Sequence, residues 1–132
     1  FLEKGKTIYS LEGKDSTDVY VDETDEKRDY KVAVLINDGS ASASEVLAAA
    51  LKESYGATLI GTTSYGKGKV QLTKNLEDGS MVKYTTARWL TPSGECIDEI
   101  GIDPDYLVNL ELDENGVYKD TQLEKAKELL SQ

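Results

Sequence analysis

The stretch Val32-Ala33-Val34-Leu35-Ile36-Asn37-Asp38-Gly39-Ser40-Ala41-Ser42-Ala43-Ser44-Glu45-Val46-Leu47-Ala48-Ala49-Ala50-Leu51 decides the fold class. Its first five residues are an apolar run rich in β-branched side chains, closed by Asn37-Asp38-Gly39. That pattern predicts a strand buried on both faces and central in its sheet. The alanine-rich part that follows carries Val46, Leu47, Ala50 and Leu51 on one face and meets a glycine stop at Gly56, so it reads as a helix. Thr58-Leu59-Ile60, ended by Gly61, is a second short strand. Together these pieces form a β-α-β unit, whose two strands run parallel.

Outward from this unit the pattern changes. Residues 72–76 and 81–89 flank Glu77-Asp78-Gly79-Ser80 and read as a hairpin on an Asp-Gly turn, which makes the predicted sheet mixed. Thr91-Pro92-Ser93-Gly94 is a turn, residues 100–108 are extended around Pro104, and residues 121–130 form a closing helix with Leu123, Ala126 and Leu130 inward. On the other side, residues 7–11 and 19–21 read as a weak hairpin, followed by a solvated charge run over 22–29. The expected fold class is α/β, a mixed β-sheet with packed helices.

Bulk properties narrow the chemistry. A chain of 132 residues fits one domain able to bury a core without staples. Fifteen basic against 25 acidic residues give a formal charge of -10. That is the wrong sign for a surface that exchanges counterions with phosphate, so nucleic acid and anionic membrane are not the expected partners. The single cysteine, Cys96, excludes an internal disulfide, and no Cys or His cluster suggests a metal; no cofactor is expected. With no histidine, a Ser-His-Asp or Cys-His arrangement is impossible within the chain. Phe1 opens a charged stretch rather than a signal peptide, and no apolar run reaches membrane-spanning length, so a soluble piece is expected.

Ser42 lies beyond the carboxyl end of the first predicted parallel strand and at the mouth of the helix, where reactive groups gather in open α/β sheets. An oxyanion formed there would meet the positive end of the helix and the amide of Ala43. The same residues also match a capping box, with Ser42 as N-cap and Glu45 bonding back. Lys67 enters through geometry. A helix of about twelve residues carries the chain away by roughly 18 Å and about six extended residues return it, so Gly66-Lys67-Gly68 should re-emerge beside Ser42. A lysine acting as base must be neutral, which asks for burial or a neighbouring cation. An exposed lysine in a glycine loop is the plainer alternative, and Lys69 is a nearby competitor. Gly61-Thr62-Thr63-Ser64-Tyr65-Gly66-Lys67 also has P-loop spacing, but Gly68 stands where a hydroxyl should be and a strand follows where a helix should. Gln71, at an even offset from Lys67, would share its face of a strand and could hold the amine.

Three segments together carry a resemblance: Gly39-Ser40-Ala41-Ser42-Ala43-Ser44-Glu45, then Ser64-Tyr65-Gly66-Lys67-Gly68-Lys69-Val70-Gln71, then Gly101-Ile102-Asp103-Pro104-Asp105. In this order and spacing they resemble the carboxy-terminal processing (tail-specific) proteases, from about residue 31 to the final helix. The resemblance implies Ser42 as nucleophile, Lys67 as base, Gln71 as the residue orienting the lysine and Ala43 as donor of an oxyanion amide. It implies a core like those of crotonases and Clp-type peptidases, and a serine endopeptidase that cuts proteins near exposed C-termini through an acyl-enzyme. It also implies a parent outside the bacterial cytoplasm, in the cell envelope or periplasm. No PDZ domain and no Asn-Pro-Gly-Gly type segment is present, so residues 1–132 read as a partial catalytic domain, inactive alone, with a cut sheet edge open to self-association. The alternative is a non-catalytic binding or scaffold domain that keeps the fold.

Overall fold

Three short sheets and two helices make up the structure, a computed structural model that describes residues 1–132. In chain order the elements are β1 (Thr7–Glu12), β2 (Thr17–Val21), β3 (Ala33–Ile36), α1 (Ala43–Ala50), β4 (Thr58–Gly61), β5 (Lys69–Asn75), β6 (Met81–Leu90), β7 (Tyr106–Leu107), β8 (Glu111–Leu112), β9 (Tyr118–Lys119) and α2 (Thr121–Leu130). A π-helical turn, Leu51–Tyr55, extends α1 and ends at Gly56 in the left-handed conformation. Strands β3, β4 and β7 form a parallel sheet with β4 in the middle. Strands β2, β1, β6 and β5 form an antiparallel sheet in that order, and β8 pairs with β9. The α/β class with both kinds of strand pairing is therefore present, and the two kinds are divided between sheets.

The β-α-β unit forms where the sequence predicts it, because the apolar runs of β3 and β4 pair in parallel from Ala33–Thr58 to Ile36–Gly61. The central position falls to β4, however, and β3 is an edge strand. Leu59 and Ile60 are fully buried, whereas Leu35, the partner of Ile60 on the edge strand, is 41% exposed. Of the residues expected on the buried face of α1, Ala50 is buried and Val46 packs against the core, but the face is wider than expected. Glu45, Ala48 and Ala49 point inward, three and four residues apart on one face, and Leu47 is exposed. Small alanines let the helix backbone approach the sheets closely, so size decides over hydrophobicity. The bounds of α2 match the expected closing helix, and Asp120 caps it by accepting a hydrogen bond from the Leu123 N–H. Of its three expected inward residues only Ala126 is buried; Gln122 joins it, while Leu123 and Leu130 stay partly open.

The core lies where the sheets and α1 meet: Ile36, Ala48, Ala49, Leu59, Trp89, Ile97 and Ile102 pack together. Trp89, near the end of β6, ties the antiparallel sheet into this cluster, and its neighbours Ile97 and Ile102 bring the 97–102 segment against the helix mouth. Leu59→Ala should destabilise the chain by about 3 kcal/mol, as a truncation that leaves a cavity, while Leu47→Ala should stay within about 0.5 kcal/mol. Urea unfolding midpoints measure both. Equal losses would mean that α1 is turned about its axis from the orientation described.

Candidate active site

Ser42 precedes α1 with φ 57° and ψ -116°. An ordinary N-cap residue sits in the β region, and a non-glycine residue at positive φ is strained by about 1 to 3 kcal/mol. Such strain persists only where the surroundings over-determine it, and it is the backbone arrangement of a sharp strand-to-helix turn that presents a serine side chain outward. Ser42 is indeed exposed, as is Ala43 at the first position of the helix.

A single buried carboxylate fixes this geometry. Glu45 is fully buried, and its two oxygens accept four hydrogen bonds. Oε2 accepts from the Ser42 N–H at 2.8 Å and the Lys67 N–H at 3.0 Å. Oε1 accepts from the Ser64 hydroxyl at 2.6 Å and the Gly66 N–H at 2.7 Å. The capping-box half supplied by Glu45 thus exists, but the same carboxylate also reaches across 19 to 22 residues of sequence to the glycine-lysine loop. Its place in the first turn of α1 adds the favourable end of the helix dipole. Sequence reasoning gave Glu45 only the local role. The available signal was its offset of three and four residues from Ala48 and Ala49, which puts a carboxylate on the buried face.

The loop is pinned from its other sides as well. The Trp89 indole N–H donates to the Lys67 carbonyl at 2.9 Å, and the Gly68 N–H donates to Asp98 Oδ1 at 3.0 Å. A Cβ on Gly66 would meet the backbone nitrogens of Ile100 and Gly101 at 2.9 and 2.8 Å, and one on Gly68 would meet the Asp98 side chain at 2.7 Å. The two glycines therefore admit residues 98–101 against the loop. The third motif is locked in turn. Ser64 Oγ accepts from the Ile102 N–H, Thr63 Oγ1 donates to Asp103, and Asp105 accepts from the Leu59 N–H while pairing with Lys52 at 3.0 Å.

Ser42, Ala43, Lys67 and Gln71 all line one cleft of about 630 Å³ between α1, β1, β5 and β6. The Lys67 backbone is held, but its side chain is exposed, so burial that would favour a neutral amine is not supplied within these residues. The Gln71 amide donates to Thr85 Oγ1 at 3.3 Å across the β5–β6 pair rather than to Lys67. Strand β5 starts only at Lys69 and its register shifts between Val70 and Gln71, so the even-offset rule does not carry from Lys67 to Gln71. The competitor Lys69 is bound to Asp98 and Glu99, each at 3.0 Å, and hydrogen bonds to these carboxylates raise its pKa. That is the opposite of what a base requires.

Glu45→Gln should cost about 3 kcal/mol or more, because one amide oxygen cannot replace two carboxylate oxygens and the new NH₂ faces N–H donors. Hydrogen exchange at Gly66 and Lys67 should accelerate together with the loss of stability; protection kept at both would show that the loop is held independently. Asp98 is depressed, first by its hydrogen bond from Lys69 and further by the Gly68 N–H. A depressed carboxylate stabilises above its unfolded pKa, near about 3.9, and the gain is lost as pH falls through the lower folded value. The raised Lys69 contributes at lower pH and loses its contribution only as alkaline pH passes its folded value. Asp98→Asn should therefore flatten the fall in urea midpoint below about pH 4, and an unchanged acid limb would place that sensitivity elsewhere.

Against known proteins, the family model for peptidase family S41 matches residues 1–108. The carboxy-terminal processing protease CtpA of Bacillus subtilis (strain 168) is 46% identical over 127 residues, covering 90% of this chain and 27% of the relative. A probable CtpA-like serine protease of Staphylococcus aureus (strain N315) is 45% identical over 112 residues, covering 83% of this chain and 23% of the relative. Among solved structures, the photosystem II D1 C-terminal processing protease superposes with a TM-score of 0.75 at 36% identity, over 89% of this chain and 31% of that one. The chain spans about a quarter of the length of these curated relatives. The resemblance carried by the three motifs is borne out, and the chain belongs to peptidase family S41.

Proposed function

We propose that these residues are part of the catalytic domain of a serine endopeptidase that cuts protein substrates near their C-termini through an acyl-enzyme. The observation that carries the reading is the shared carboxylate: Glu45 holds the backbone of Ser42 and of Lys67 at once, and both residues open into one cleft. In this mechanism the neutral Lys67 amine takes the proton of the Ser42 hydroxyl as its oxygen attacks the peptide carbonyl. The Ala43 N–H at the start of α1 supports the tetrahedral oxyanion. The lysine then protonates the leaving amine and activates the water that releases the acyl group. Gln71 assists by orienting the lysine once the amide leaves Thr85.

The exposure of the Lys67 side chain supports a division of labour between this chain and further parts of the protease. In this reading, desolvation of the lysine and a second oxyanion donor come from outside these 132 residues, which alone are catalytically silent. No helix of the chain is long and apolar enough to cross a membrane; a parent that works outside the cytoplasm is what the resemblance of the three motifs implies. In the full-length protein, Ser42→Ala and Lys67→Ala should each abolish cleavage of a tailed substrate, Gln71→Ala should cost less, and the wild-type rate should rise from neutral toward alkaline pH. Peptide-release assays on folded variants measure this. Near-normal turnover by either variant would overturn the Ser42–Lys67 pair, whereas a wild-type protein that cleaves no tailed substrate would favour a scaffold domain that keeps the fold without the chemistry.

A further inference from the structure

The cleft that carries Ser42 has a charge pattern opposite to that of the chain. The chain holds 25 acidic and 15 basic residues. The charged side chains lining the cleft are Lys67, Lys69 and Lys83, with no Asp or Glu among them. These lysines are not equivalent. The charge of Lys69 is answered by Asp98 and Glu99. Lys67 is taken up by the proton transfer proposed above. Lys83 makes no ion pair with any residue of the chain and is exposed on β6, opposite Thr73. Much of the remaining wall is apolar, with Ile8, Leu11, Val46, Leu47 and Val70.

An apolar wall beside the nucleophile with one uncommitted cation farther along fits an extended peptide that has apolar side chains near the cut bond and an acid some residues away. Thr73 lies six residues beyond Lys67. At about 3.3 Å per residue the backbone of Lys83 stands roughly 15 to 20 Å from Lys67 along the strand direction, a span of about five extended residues. Strands β5 and β6 continue past Lys83 to Asn75 and Met81, which leaves length for a peptide strand to run on beyond it. The matching anion is therefore a side chain within the peptide rather than its terminal carboxylate. We propose that Lys83 gives the cleft a preference for peptides bearing an aspartate or glutamate about five residues from the bond held at Ser42. The inference rests on the reading of Ser42 as nucleophile.

The test uses the full-length protein as Ser42→Ala, which binds peptides without cutting them, and fluorescence anisotropy with labelled apolar peptides. Aspartate or asparagine is placed at successive positions on either side of the cleavage point, each peptide being made as a free acid and as a C-terminal amide. At low salt, aspartate should tighten binding about twofold to fivefold at one position about five residues out, as an exposed ion pair does, and the gain should fade near about 0.5 M salt. Lys83→Gln should remove the difference and leave the asparagine peptides unchanged, and Lys83→Glu should shift the preference to lysine at that position. If Lys83→Glu does not fold, Lys83→Met repeats the loss of preference with a second uncharged side chain. Equal affinity for aspartate and asparagine at every position overturns the proposal, as does a preference that survives Lys83→Gln. A gain that disappears on amidation overturns it too, by assigning the anion to the peptide terminus. Cleavage that persists in Ser42→Ala would sink the nucleophile reading and with it the position counted from Ser42, an outcome distinct from a failure at Lys83 because it is read from cleavage and not from binding.

Discussion

The buried carboxylate of Glu45 is the constraint on which the rest of this structure depends. Removing an ionised group from water is costly unless its lone pairs are answered, and here four donors from three places in the chain answer them. None of these donors is a cation. The charge is met by oriented N–H and O–H dipoles and by the start of α1, so its stabilisation requires each donor to stay in place. A side chain with that demand acts as a three-way junction: the helix mouth, the serine at position 64 and the glycine-lysine loop cannot move separately.

The consequences spread outward from this junction. Ser64 passes the constraint to Ile102 through its hydroxyl, and the 102–105 segment passes it to β4 and to the π-helical turn through Asp105, Leu59 and Lys52. Trp89 brings in the antiparallel sheet by spending its indole N–H on the Lys67 carbonyl while its ring sits in the core. The second motif therefore meets the first through the Glu45 carboxylate and the third through Ser64, and Ser42 and Lys67 both line the cleft.

Local signals made much of this legible in advance. The apolar run at 32–36, the alanine helix and its glycine stop, the Asp-Gly hairpin and the bounds of α2 all follow from propensities and turn chemistry that act over a few residues. What stayed hidden was long-range. Nothing in the periodicity around Glu45 tells that its partners lie at 64–67, and hydrophobicity alone put Leu47 inside, although Ala48 and Ala49 allow the closer approach. The strand at 33–36 reads as central because its sequence carries apolar residues for two faces, and in this chain it has a paired strand on one side only. At the site, spacing brought Ser42 and Lys67 to the same edge, but the environment of the lysine amine depends on whatever packs over the cleft, which spacing cannot state.

The backbone of Ser42 has an evolutionary consequence. At φ 57° a glycine would rest without strain, so the replacement that best relaxes this turn is also one that deletes the hydroxyl. Stability and chemistry pull in opposite directions at one residue. Under selection for folding alone, drift at position 42 runs downhill toward glycine, and a lineage that keeps serine there keeps it against that slope. On the proposed reading of Ser42 as nucleophile, a serine kept in this conformation would record use of the hydroxyl, whereas at an ordinary helix cap the same residue would record nothing more than a well-started helix.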